Sequence, residues 1–173
     1  MPASYQAPRR DDGSRDKTTS QSLSTNTQNK IAKIQDILDR RNGDLFTISE
    51  ADTIASAVKV LRDKRIGALI VTNDTGSMVG ILSERDIVRK LAETPGNTLP
   101  QTVSENMTRK VMTCEPEDAL VEVLRRMSEG RFRHMPVMKS DELLGIVTIG
   151  DVVNYRLDEL EYEALQLKQL IVG

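Results

Sequence analysis

Apolar positions along the chain fall into two successive patterns with the same order of elements. Ile54, Ala57, Val58 and Leu61 recur at i, i+3, i+4 and i+7, which predicts an amphipathic helix with Asp52 as its cap. Leu120, Val123, Leu124 and Met127 repeat the spacing behind Asp118. Each helix gives way to a mostly apolar run, at 68–71 or 135–138, then to a polar turn at 73–76 or 139–142. A second short strand follows at 78–82 or 143–147, closing a hairpin. A further helix starts at Glu84 or Ile149. Pro136 removes one ladder donor, so its strand lies at an edge or the proline points to a free position.

The two stretches align residue for residue. Thr47 meets Thr113, Asp52 meets Asp118 and Ile54 meets Leu120 at an offset of 66 residues. One deletion in the turn leaves an offset of 65, under which Gly80 meets Gly145, Ile81 meets Ile146, Ser83 meets Thr148 and Asp86 meets Asp151. The prediction is an α+β protein of two pseudo-symmetric βαββα units, 30–94 and 95–157. Units of about 60 residues bury too little surface to be very stable alone, so the two share a core. Over 158–173 a C-terminal amphipathic helix is expected. Leu157, Leu160, Ala164, Leu167 and Ile171 lie on one stripe, to be covered by its own domain or by a second subunit. Residues 1–29 show no apolar period and read as a disordered N-terminal tail.

Composition narrows the function. Twenty-four Lys and Arg stand against 26 Asp and Glu, a net charge of −2, which disfavours nucleic acid held by bulk charge. Aromatics at 3% leave almost nothing with which to stack bases. One Cys and one His exclude a Cys/His zinc site within one chain and fit a reducing compartment. No apolar run approaches the roughly 18 residues that span a bilayer, so no membrane association is expected. Asp11, Asp12 and Asp16 sit among Arg9, Arg10 and Arg15, unlike an acid-poor transit peptide, so cytoplasm is the expected location.

The candidate chemistry lies where a glycine-started strand runs into a helix. Ser83 and Asp86, and again Thr148 and Asp151, place a hydroxyl and a carboxylate three residues apart on one helical face. Free N–H groups at such a helix start favour phosphate, and the Asp can accept both hydroxyls of a ribose. The same spacing is that of a helix capping box, and one copy alone reads as a cap. Recurrence in both halves, each time behind Gly80 or Gly145, favours a site. Arg131, Arg133 and His134 concentrate cations just before the strand at 135–138, where they face a phosphate or form a solvated loop. The corresponding stretch 64–68 carries less charge, and Arg85 is a second candidate phosphate contact. Against catalysis, Cys114 and His134 lie in different parts of the repeat, and no G-x-x-x-x-G-K-S/T loop occurs.

The paired strings 80–86 and 145–151, with Arg-His-Met-Pro-Val at 133–137, resemble a tandem pair of CBS domains (cystathionine-β-synthase type), the Bateman module. The resemblance covers roughly residues 30–157. It implies two units packed through their sheets, with clefts that bind adenosine ligands, and modules that commonly pair as flat homodimers. It further implies ribose contacts from Asp151 and Asp86, hydroxyl contacts from Thr148 and Ser83, and phosphate contacts from Arg133 and His134. Segments leading into each unit would hold the adenine: 33–38, including Lys33, Asp36 and Leu38, and 102–107, including Thr102, Glu105 and Met107. In the crossed arrangement of that family, the first segment completes the Asp151 site with Ile66, Gly67 and Ala68, and the second completes the Asp86 site. Asn106 stands where an apolar residue is usual, and Gly67 and Ala68 supply no cation. If one site alone is occupied, the expectation is the one with Asp151. The implied function is a regulatory, energy-sensing module without catalysis. Its expected ligand is AMP, ADP or ATP, then NAD(H), with S-adenosylmethionine less favoured, and it answers to an unidentified protein target. The competing reading is a dimerising scaffold that binds no ligand.

Overall fold

The computed structural model describes residues 31–40 and 45–172, so the tail expected over 1–29 lies outside the described residues. In chain order the elements are α1 (Ile34–Arg40), β1 (Thr47–Ser49), α2 (Ile54–Lys64), β2 (Ala68–Thr72), β3 (Met78–Ser83), α3 (Glu84–Glu93), α4 (Val103–Asn106), α5 (Leu120–Gly130), β4 (His134–Lys139), β5 (Glu142–Thr148) and α6 (Ile149–Val172). In the first sheet β1 runs parallel to β2, and β2 is antiparallel to β3 with Ile70 opposite Ile81. In the second, β4 and β5 are antiparallel, with Pro136 opposite Ile146. Both hairpins carry a register irregularity at the same repeat position, between Val71 and Thr72 and between Val137 and Met138.

The repeats differ where Pro136 stands. In the first, Ile70 N–H donates to Phe46 C=O at 3.4 Å, and β1 continues from there. Pro136 occupies the equivalent position without a donor, and the strand expected before α5 shrinks to one parallel bridge between Cys114 and Val137.

Three buried clusters hold the fold. Ile54, Leu61, Leu69, Val71, Leu82 and Ile87 fill the first repeat. Val123, Met127, Met135, Val137 and Val147 fill the second. Ala68, Ile70 and Ile81 pack with Leu143 and Ile146 where the two sheets meet, so the units do pack through their sheets.

The leading segments cross over. Ile34 and Ile37 of α1 belong to the second repeat's core, and Ile34 N–H donates to Asp118 C=O while Leu120 N–H donates to Ala32 C=O, both at 3.0 Å. Conversely Val103 of α4 is buried in the first repeat's core, and Ile54 N–H donates to Gln101 C=O at 2.9 Å.

Asp52 and Asp118 are not the helix caps expected of them. Thr53 caps α2 by accepting from Ser56 N–H, and Ala119 precedes α5 without a side-chain cap bond. Each Asp instead folds back on the turn before it, accepting from Ser49 N–H at 3.2 Å or Glu115 N–H at 3.1 Å, and Asp118 also holds Arg126. A short carboxylate bonds the turn behind it as readily as the helix ahead. Beyond β5 the helix runs unbroken through 24 residues, with Val152 buried and every side chain from Leu160 to Ile171 exposed. Among the described residues no helix is long and apolar enough to cross a membrane.

Candidate functional site

At the β3–α3 junction Ser83 N–H donates to Asp86 Oδ2 at 3.0 Å and the Ser83 hydroxyl to the same oxygen at 2.5 Å. Asp86 N–H returns a bond to Ser83 Oγ at 3.3 Å. The β5–α6 junction repeats this: Thr148 N–H and hydroxyl donate to Asp151 Oδ2 at 2.7 and 2.8 Å, and Asp151 N–H donates to Thr148 Oγ1 at 3.1 Å. Both pairs are therefore capping boxes that orient the carboxylate. The cap bonds to Asp86 fall on Oδ2 and the backbone, none on Oδ1.

A cavity of about 440 Å³ opens at the Ser83–Asp86 cap, within the size range of small-molecule pockets. Gly67 lines it from the loop before β2, Ile81 from β3, Arg85, Asp86 and Arg89 from α3, Thr108, Lys110, Val111 and Met112 from the segment after α4, and residues 130–134 from the second repeat. Arg85, Arg89, Lys110, Arg131 and Arg133 face two carboxylates, Glu84 and Asp86, so the lining is cationic, and the positive end of α3 adds to it.

The loop at 130–134 is held across the repeats. Arg131 adopts a left-handed backbone, φ 55°, to close α5, as Arg65 does at φ 54° to close α2. Arg85 Nη1 donates to Arg131 C=O at 2.7 Å. Glu84 N–H donates to Gly67 C=O and Ile149 N–H to Arg133 C=O, both at 3.0 Å, so each helix start leans on the loop before its own hairpin. A Cβ at Gly67 would lie 3.1 Å from the His134 ring, so a side chain there would crowd the approach of the two loops.

The expected residues separate into groups. Ser83, Arg85, Asp86, Gly67, Arg133 and His134 share the cavity. The loop that was expected to favour the Asp151 site thus contributes its side chains beside Asp86. The backbone of His134 pairs with Thr148 within its own sheet, while the inter-sheet packing brings its ring to Gly67 of the other repeat. Ile66 packs on the first repeat's core, and Ala68 is buried between the sheets. Thr102 and Glu105 form the capping box of α4, whose hydrogen bonds hold the Glu105 carboxyl below its usual range. Met107 packs beside Gly80. Around the other cap, Lys33 N–H donates to Asp36 Oδ2 at 2.8 Å at the start of α1, and Leu38 approaches Gly145. Two cavity cations carried no mark in the sequence reading. Arg89 lies one turn along α3 from Asp86, a spacing that signals a shared face, whereas Lys110 follows a linker with no period to place it. Cys114 is buried: burial pushes its thiol up to about 12, which disfavours the thiolate, and its Sγ lies 3.7 Å from Pro136 C=O.

Two domain matches span most of the chain, 34–93 and 102–158, both to the model described as CBS domain. The chain belongs to the CBS-domain family. The CBS-domain protein ATU1752 from Agrobacterium tumefaciens is similar at 37% identity and a TM-score of 0.71, over 75% of this chain and 96% of that one. The CBS domain pair of protein MJ0100, whose crystal structure is a complex with 5-methylthioadenosine and S-adenosyl-L-methionine, is 28% identical with a TM-score of 0.65, over 75% of this chain and 98% of that one. Among curated relatives, the CBS domain-containing protein CBSX3, mitochondrial, of Arabidopsis thaliana is 33% identical over 70% of this chain, which spans only 61% of that protein's length. A CBS pair is a regulatory module, and in this one the sheet-to-sheet packing and the segment after α4 bring the two repeats together at the cavity by Asp86.

Proposed function

We propose that this CBS pair is a regulatory module that binds an adenine nucleotide, AMP, ADP or ATP, in the cavity at Asp86. The observation that carries the reading is the meeting of an oriented carboxylate with five cationic side chains in one pocket. Asp86 would accept the ribose hydroxyls, and Arg133, Arg131 and the N-terminus of α3 would hold phosphate. S-adenosylmethionine has no phosphate to use these cations, whereas NAD(H) carries both ribose and phosphate and ranks second. The Thr148–Asp151 cap, with Lys33, Asp36 and Leu38 of the leading segment, is the repeat-related second site. Occupancy would bias the arrangement of the two repeats and be read by a protein target and a second copy of the chain in a homodimer.

Calorimetric titration with AMP, ATP, NADH and S-adenosylmethionine tests this. Saturable AMP or ATP binding that Asp86→Ala and Arg133→Ala each weaken at least tenfold, and Asp151→Ala weakens less, is the expected result. Binding indifferent to Asp86 and Arg133, or no binding by any of the four, overturns it and leaves Ser83–Asp86 as a cap in a ligand-free scaffold.

A further inference from the structure

In the C-terminal half of α6 every side chain from Leu160 to Ile171 is exposed, and although Tyr162, Leu165 and Leu170 lie to the sides, the other apolar residues form one line. Val153, Leu157, Leu160, Ala164, Leu167 and Ile171 follow one another at steps of four, three, four, three and four, which is the a/d seam of a 3.5-residue period. Leu157, Leu160, Leu167 and Ile171 are 53, 48, 61 and 83% exposed. Val152 and Tyr155, which face the second repeat's core, lie more than a third of a turn away at 3.6 residues per turn, so the seam is turned off the helix's own domain.

We infer that this seam pairs α6 with α6 of a second copy as a parallel two-stranded coiled coil. The flanking charges choose both the occupant and the direction. With Leu157 and Ala164 at a, Arg156 and Glu163 fall at g, and Glu161 and Lys168 at e. In a parallel pair each g residue meets the e residue five positions on in the partner helix, which sets Arg156 against Glu161 and Glu163 against Lys168. Both pairs are of opposite charge, and each occurs twice in a symmetric dimer. An antiparallel pair sets g against g and e against e: Glu163 meets Leu170 or a second Glu163, and Glu161 meets Lys168 or a second Glu161, so at best two opposite-charge contacts form where the parallel pair forms four. Arg156 is already bonded to Glu159 in its own helix at 2.8 Å, so the Glu163–Lys168 pair carries the specificity. The seam is short, but its first turns are already ordered: Arg40 sits over the Tyr155 ring at 4.1 Å and pairs with Asp158, anchoring α6 to α1.

The inference names the surface of the homodimer proposed above and does not depend on what the cavity binds. Leu167→Cys in the full chain reads it, because d positions face each other in a parallel pair and buried Cys114 does not compete. Mild oxidation is expected to give a disulfide-linked dimer. Adding Glu163→Lys, which opposes Lys168 with a second cation, is expected to cut the linked fraction and weaken dimerisation in sedimentation at least tenfold, and adding Lys168→Glu as well is expected to restore both. Leu160→Asp is expected to abolish linkage with little effect on the melting temperature of the protomer, since that side chain is 48% exposed. No linkage at residue 167, linkage indifferent to Glu163→Lys, or a Leu160→Asp protein that links as before overturns the coiled coil. A protein that sediments as a dimer but never links at residue 167 dimerises through another face, which leaves the homodimer standing and this surface refuted.

Discussion

Gly80 and Gly145 hold the same place in the two repeats, and adding one methyl to each should have opposite consequences. A Cβ at Gly80 would lie 2.6 Å from Met107 Sδ and 2.9 Å from Thr108 C=O. The thioether can swing aside, but the carbonyl is fixed: Ile81 N–H donates to it at 3.0 Å, and Thr108 N–H donates to Ile81 C=O at 2.9 Å. Relieving the clash means prising the segment after α4 off the first sheet. At Gly145 the nearest atom is Leu38 Cδ2 at 3.2 Å, the far end of a flexible side chain. Overpacking against backbone costs about 1–3 kcal/mol and a strained hydrogen-bond pair about 1 more, while losing a glycine from the unfolded chain returns about 0.5. Gly80→Ala should therefore destabilise by about 2–3 kcal/mol, and Gly145→Ala should stay within about 0.5 kcal/mol of wild type. Urea unfolding of both variants, with hydrogen exchange at the Ile81 and Thr108 amides, measures this. Equal midpoints for the two would show that the bridge yields without cost and refute the reasoning. Because Thr108 to Met112 line the cavity, Gly80→Ala should also weaken AMP binding.

Cys114 predicts an alkaline dependence. Its thiol is raised from an ordinary value near 9 to about 12, chiefly by burial. The folded state thus holds its proton more tightly than the unfolded state. The contribution to stability is complete below pH 9 and is lost between pH 9 and 12. Urea midpoints across that window should fall more steeply for wild type than for Cys114→Ala, and parallel slopes would exclude the effect. Ile34→Ala removes a side chain with no exposed surface from the second repeat's core and should cost about 3 kcal/mol. Its mark is lost exchange protection at Leu120 and Val123 rather than at Leu82, and the reverse distribution would contradict the crossover.

The repeat was legible because identical elements recur with near-constant spacing, and Ile54, Leu69, Leu82 and Val147 land in the core where their periodicity puts them. Pairings across the repeats were not legible from either repeat alone. Nothing in the period of residues 130–136 reveals that Arg131 and Arg133 share a cavity with Asp86, since that follows from how Ala68, Ile70 and Ile146 pack one sheet on the other. Lys110 reaches the cavity because the Ile81–Thr108 bridge carries its segment there. The caps at Thr53 and Ala119 escaped prediction because Asp52 and Asp118 have a turn to bond on the other side. Pro136 did announce a missing donor, but which neighbour loses the bond depends on the parallel pairing it prevents.

The crossover also sets an order of events during synthesis. Helix α1 is made before the first repeat, but its buried Ile34 and Ile37 pack in the core of the second. Arg40 and its partner Asp158 are 118 residues apart, a wait of about 6–24 s at about 5–20 residues per second. The first repeat lacks Val103 only until α4 follows α3. On the ribosome, then, the first repeat can complete its core as soon as α4 follows α3, while α1 waits for the strands and helices of the second repeat to cover Ile34 and Ile37.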